Sequence, residues 1–231
     1  MATTTPDVLA AIAEQTDMLL DTARALDAPG APSLCSGWSR GHVLSHLARN
    51  ADGLAALARG AVDGTGETMY ASPDQRDLDI DAGADRPLDE LVADVEDSAA
   101  RLAEQLPRLA PVDGDMLLMR TPGVPFVPAR ALPYLRLREV VIHHVDLDAG
   151  FGFEDIDPEL LVLFIDRKAD LLRRDGDPPD LTVRTGEGDE WTIGLGTAQV
   201  TGSRAAVLAW LTRGTTEGVS GAPLPHLTQV G

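Results

Sequence analysis

With 231 residues, 44% of them hydrophobic, the chain has enough apolar material for one large domain or two small ones, each with its own core. Nineteen basic residues against 37 acidic ones leave a formal charge of −18, a surface that repels nucleic acid and anionic membranes and argues against both as partners. No apolar run approaches the ~20 residues of a bilayer span, and the first residues lack the basic-then-apolar order of a signal peptide, so a cytoplasmic protein is expected.

In chain order, Thr5-Pro6-Asp7 reads as a helix start, with Thr5 as N-cap and Pro6 at the first position. Val8, Leu9, Ile12, Leu19, Leu20 and Leu26 mark one amphipathic face running to about Asp27, and the Pro29-to-Pro32 stretch closes it. Cys35 follows. A single cysteine can build neither a disulfide framework nor a thiolate zinc cluster within one chain, and this one reads as a small packed residue before a helix. Ser39 caps a second helix reaching about Arg59, with Val43, Leu47, Asn50, Leu54 and Leu57 on one face and His46 beside it. Ser72-Pro73 opens a short helix, and Pro87 opens a longer one whose stripe is Leu88, Leu91, Val92, Val95, Leu102 and Leu106. Met116 to Arg120 and Val124 to Val127 flank Pro122-Gly123 as a small hairpin. A helix from about Pro128 tolerates Pro133 in its opening turns and is expected to stop at Gly150.

After Gly152 the pattern changes. Asp157-Pro158 starts a helix to about Arg174; residues 181–184, 190–193 and 198–201 read as strands; Ser203 caps a helix that runs through Trp210 to Arg213. The expected class is mixed α and α+β: a four-helix bundle over residues 1–152, then a small α+β domain over 153–231.

Chemistry concentrates in two helical segments. His42 and His46 lie on the second helix, and Glu139, His143 and His144 on the one before Gly150; His226 is the fifth histidine. Glu139 and His143 are four apart and share a face. With His46 from a neighbouring helix they make one carboxylate and two imidazoles, the ligand set of a catalytic zinc with one position open. Val140, Val141, Ile142 and Val145 put this segment in an apolar setting, where a carboxylate and an imidazole must be paired, hydrogen-bonded or metal-bound. Spacing alone leaves those three open. Asp146 stands three residues beyond His143, placed to orient it or to bond elsewhere in the helix, while His42, one turn from His46, could reach a metal but in the first turn of its helix better suits an exposed or supporting role.

Four separated anchors carry a family resemblance: Gly37-Trp38-Ser39-Arg40 through His46, Met69 to Arg76, Arg138 to His143 with Val145-Asp146-Leu147, and Arg213-Gly214. Over nearly its whole length the chain resembles the mycothiol-dependent maleylpyruvate isomerases of actinobacteria. That resemblance implies a DinB-like bundle followed by a domain similar to sterol carrier protein 2. It implies a divalent metal, zinc, on the positions matching His46, Glu139 and His143, and a required arginine matching Arg213. Mycothiol would act as thiol coenzyme, its thiolate adding to the cis double bond of maleylpyruvate and leaving after rotation to give fumarylpyruvate. Arg76, after the capped start at Ser72, is a candidate for holding an anion of the bound molecules, with a surface salt bridge as the more ordinary role for an arginine so placed. Small anionic substrate and mycothiol are the expected partners, on a monomer or small homo-oligomer. A mycothiol S-transferase would share the site, and a ligand-binding metalloprotein is the rival outside enzymes.

Overall fold

In the computed structural model, which describes residues 7–221, two compact units divide the chain between Gly150 and Phe151. The first contains helices α1 (Val8–Arg24), α2 (Arg40–Asp63), α3 (Pro73–Ala84), α4 (Leu88–Gln105) and α5 (Leu132–Asp146), with a hairpin of β1 (Leu117–Thr121) and β2 (Val124–Pro128) between α4 and α5. The second contains α6 (Pro158–Arg173), strands β3 (Leu181–Thr185), β4 (Glu190–Ile193) and β5 (Ala198–Gly202), α7 (Arg204–Arg213) and the short β6 (Val219–Ser220). The mixed α and α+β class read from the sequence is what the chain adopts.

Helix α2 is the axis of the first unit, packing on α3, α4 and α5, while α1 packs on α5 and α4. Leu44, Leu47, Leu91, Val95 and Val140 bury one apolar layer, and Leu54, Leu57, Leu102 and Leu132 a second. Ser39 caps α2 as expected, accepting from the His42 amide while the His42 ring accepts from the Ser39 amide; the helix ends at Gly64, whose left-handed φ of 71° suits a residue without Cβ. Small residues let α3 lie close against it. A Cβ on Gly41 would meet the Ala84 carbonyl, and one on Gly83 the Ser45 hydroxyl. Ser45 also donates to the Ile80 carbonyl at 2.9 Å. This close approach fixes where Arg76, on α3, stands relative to His46.

The chain departs from the expectations at several helix ends. Asp7 is the N-cap of α1, accepting from Leu9 and Ala10; the expected cap Thr5, with Pro6 and His226, lies outside the described residues. Helix α2 runs four residues beyond Arg59. Helix α5 ends at Asp146, short of Gly150, where carbonyls find partners outside the helix: Leu34 donates to the Asp146 carbonyl, and just beyond the helix the Arg40 guanidinium takes those of Leu147 and Asp148. Asp148 then turns the chain at φ 50°, a left-handed conformation that aspartate tolerates.

In the second unit the sheet order is β4-β3-β5-β6, with β3 antiparallel to β4 and parallel to β5. Its strands alternate, Trp191, Ile193 and Val200 facing inward onto a core that includes Val207, Leu208 and Trp210. Arg204 and Asp189 form a two-pronged ion pair at 2.6 and 2.9 Å that ties α7 to the β3–β4 turn.

Candidate metal centre

Three side chains from two helices meet inside the first unit. His46 projects from the middle of α2 with 5% exposure, and its Nε2 lies 2.8 Å from Glu139 Oε2. His143, one turn along α5 from Glu139, brings its own Nε2 to 3.4 Å from the same oxygen. The candidate ligand atoms of His46, Glu139 and His143 all lie within 4.8 Å of one another. Antiparallel packing of α2 on α5 makes this possible, since it sets the one-turn pair on α5 opposite a single histidine on α2.

Burial and hydrogen bonding act in opposite directions on these groups. Burial alone would raise the Glu139 carboxyl, but hydrogen bonds from His143 and His46 outweigh it and hold the group well below the usual carboxylate range. Burial pushes His46 down to about 4, against the opposing hydrogen bond to Glu139, so the ring is neutral near pH 7. For His143, burial is overcome by hydrogen bonding to Asp146, Cys35 and Glu139, and its pKa is raised well above 6.5. The result is a buried carboxylate toward which two imidazole Nε2 atoms point.

Asp146 explains the orientation of His143. Its carboxylate, with no exposed surface, takes the Nδ1 proton at 2.8 Å, which turns Nε2 toward Glu139. Cys35 stands on the same side, its Sγ 4.0 Å from His143 Nδ1. The sequence placed Cys35 in no ligand pattern; the fold brings it beside His143 and Asp146, where the three form a second group of metal-compatible atoms. Asp146 is much the closer partner for Nδ1.

Trp38 walls the centre, its ring centroid 5.4 Å from that of His46 and 6.5 Å from that of His143. Arg76 lies over the Trp38 ring and places Nη2 3.4 Å from His46 Nδ1, at the long end of hydrogen bonding. Because a guanidinium can only donate, His46 Nδ1 accepts and Nε2 carries the proton toward Glu139. Arg138 donates to the other Glu139 oxygen at 2.9 Å. His42 stays outside this group, bonded to Ser39 through Nδ1 at 2.7 Å. Arg213 is the last residue of α7, where Nη1 donates to the Thr212 carbonyl at 3.1 Å.

One residue escaped the sequence reading. Arg136, 1% exposed, lies three residues before Glu139 on the same face of α5. Its Nη1 donates to the Leu47 carbonyl at 2.8 Å and to Asn50 Oδ1 at 3.1 Å, while Nε and Nη2 have no hydrogen-bond partner. It therefore ties α5 to α2 one turn from the His46–Glu139 contact. The signal was available: positions 136, 139 and 143 follow helical spacing on the ligand face, and Asn50 interrupts the apolar stripe opposite.

The donor set fits a divalent ion. Two imidazole nitrogens and one ionised carboxylate, with imidazole protons pointing at one oxygen, are groups that would exchange those protons for a metal. The family model of the mycothiol maleylpyruvate isomerase N-terminal domain matches residues 9–148. A crystal structure of the mycothiol-dependent maleylpyruvate isomerase aligns with a TM-score of 0.85 at 26% identity, covering 97% of this chain and 96% of that one. A histidine-to-alanine variant of that enzyme aligns with a TM-score of 0.84 at the same identity and coverage. No curated protein matches the chain.

Proposed function

The chain belongs to the mycothiol maleylpyruvate isomerase family, and from that premise we propose that it converts maleylpyruvate to fumarylpyruvate with mycothiol as coenzyme. His46, Glu139 and His143 would hold the divalent metal, zinc, that the reaction uses. The observation that carries this reading is the convergence of these three side chains on one buried oxygen, in a chain similar along almost its full length to an enzyme of that name. When bound, the ion would supply Lewis acidity that ionises a thiol near neutral pH, and mycothiol the thiolate that adds to the cis double bond and departs from the trans product unchanged.

The protein's own part is positioning and charge. Glu139 stays ionised because two imidazoles and Arg138 donate to it. Asp146 keeps the Nδ1 proton of His143 in place, leaving Nε2 as the free ligand nitrogen. Trp38 lies against the rings of both histidines on one side of the centre. Arg76 is ion-paired with the exposed Asp77 at 2.6 Å and makes a long contact to His46; an anion of the bound molecules would compete with Asp77 for its charge. Arg213 supplies a planar fork for a substrate carboxylate, a reading supported by its match to the family's required arginine and by the need of a dianion for fixed positive charge in a chain of −18. The gentisate route of aromatic catabolism would be the source of such a substrate. A DinB-like bundle over 1–152 and a sterol-carrier-like domain over 153–231 complete the proposal.

Product analysis tests it. Zinc-loaded protein given maleylpyruvate and a small amount of mycothiol should form many equivalents of fumarylpyruvate and return the thiol free. Stoichiometric loss of mycothiol into a conjugate would instead establish an S-transferase.

A further inference from the structure

Arginine in this acidic chain is mostly committed to carboxylates: Arg24 to Asp21 and Glu96, Arg49 and Arg86 to Asp94, Arg101 to Asp52. Arg120 differs. It is half-buried and makes no ion pair among the described residues; its guanidinium carbon stands 5.8 Å from the Tyr70 ring centroid and 5.5 Å from that of Phe126.

Backbone pairing builds this arrangement. Arg120 is on β1 and Phe126 on the paired β2, across the Pro122-Gly123 turn, where Gly123 takes φ 79°. The segment before α3 is stitched to β1, with the Met69 amide donating to the Met119 carbonyl at 3.1 Å and the Tyr70 amide to that of Arg120 at 2.9 Å. Tyr70 is thereby held beside Arg120, and the charges of both Arg76 and Arg120 act on its phenol. Arg76 in turn reaches His46 Nδ1 at 3.4 Å. Arg76, Tyr70 and Arg120 thus form a line of neighbours from the metal centre, joined by the His46–Arg76 contact, by charge acting between Arg76 and the phenol, and by the stacking of Arg120 on Tyr70.

The physics of a stacked guanidinium makes this line useful. Cation–π contact engages the flat face of the group, while its N–H donors lie in the plane and remain available. Two aromatic neighbours also limit the freedom of the side chain, so less conformational entropy is lost when an anion binds. Burial raises the Tyr70 phenol above its ordinary value of 10, against the lowering influence of Arg76 and Arg120, so it stays a neutral hydrogen-bond donor.

We propose that Arg120, with Tyr70 beside it, is a carboxylate subsite that holds the end of the dianionic substrate remote from the metal centre. The inference rests on the isomerase reading for the identity of the substrate, though not for the chemistry of the subsite, which fits any small dicarboxylate. It gives the −18 chain a second fixed cation for a doubly charged molecule, supplied by the first unit itself.

The test uses the full-length, zinc-loaded protein with Arg120→Met, Arg120→Lys and Tyr70→Phe, each checked by circular dichroism. Arg120→Met should raise KM for maleylpyruvate by about tenfold or more with kcat changed less than about threefold, the pattern of a lost binding contact. Arg120→Lys should recover part of that loss, and Tyr70→Phe should show a smaller rise in KM. Calorimetric titration with succinate, a dicarboxylate with no double bond to isomerise, should show the same order of affinities. A folded Arg120→Met protein with the parent's KM and succinate affinity would overturn the proposal. If the parent binds succinate in an Arg120-dependent way yet does not isomerise maleylpyruvate, the subsite stands and the assigned substrate falls.

Discussion

Replacing Asp146 by asparagine changes one charge and almost no volume, and probes whether the orientation of His143 matters. The Asp146 carboxylate is fully buried and 2.8 Å from His143 Nδ1, so it fixes the proton there and leaves Nε2 for the metal. Asparagine keeps one possible acceptor but loses the charge, and its amide can present N–H₂ instead, which would push the ring proton onto Nε2. Loss of such a supporting partner costs about 10–100-fold in metal affinity, or about 1.4–2.7 kcal/mol. The sign of the pH effect follows from His143. Its pKa in the metal-free protein is raised well above 6.5 because its hydrogen bonds to Asp146, Cys35 and Glu139 outweigh burial, so below that raised value the wild-type protein must release a proton to take the metal. The variant, with a less basic ring, gives up that proton more easily. The affinity gap is therefore smallest at low pH and widens as pH rises through the folded value. Zinc competition against a chromophoric chelator at about pH 6.5 and well above it measures the gap. A folded variant within twofold of wild type at the higher pH would refute the reasoning.

The remaining predictions address other parts of the centre. Arg136→Met removes a buried guanidinium with two unpartnered nitrogens, so the unfolding midpoint in urea should stay close to wild type or rise; Arg136→Ala, which also opens a cavity, should cost about 2–4 kcal/mol, and an equally large loss in the Met variant would mean that its bonds to Leu47 and Asn50 outweigh the cost of burial. Cys35→Ser should keep most of the turnover with added mycothiol, since Asp146 is the nearer partner of His143, and loss of activity with intact fold and metal content would make Cys35 a working group. Arg213→Ala should lower kcat/KM by at least ~10²-fold with Arg213→Lys in between, because breaking a desolvated, bidentate ion pair costs ~2–5 kcal/mol; a fully active Ala variant would leave Arg213 only its place at the end of α7.

Much of this was legible before any coordinates. Capping side chains located α2, α3, α6 and α7, since Ser39, Ser72, Asp157 and Ser203 accept from the first amides of these helices, and Pro87 marked the start of α4, all through local geometry that neighbours do not override. The Glu139–His143 spacing placed two candidate ligands on one face for the same reason, and helix packing supplied the third. What could not be read depends on contacts distant in sequence. Helix α5 stops at Asp146, where Leu34 takes the Asp146 carbonyl and Arg40 that of Leu147 just beyond. Arg136 is buried because Leu47 and Asn50 face it from α2. Cys35 lies beside His143 because residues 34–40 fold back over the end of α5, and the parallel pairing of β3 with β5 likewise has no local signature.

The central claim is that His46, Glu139 and His143 hold a metal that makes a thiol-dependent isomerase of this chain. It is tested most directly by following maleylpyruvate conversion in four mixtures, with and without mycothiol, using zinc-loaded protein and the His46→Ala variant purified alongside. The account predicts fumarylpyruvate only where wild-type protein, zinc and mycothiol are together, with zinc depleted from the variant. Turnover by the variant with a full equivalent of zinc, or by the wild-type protein without mycothiol, would contradict it.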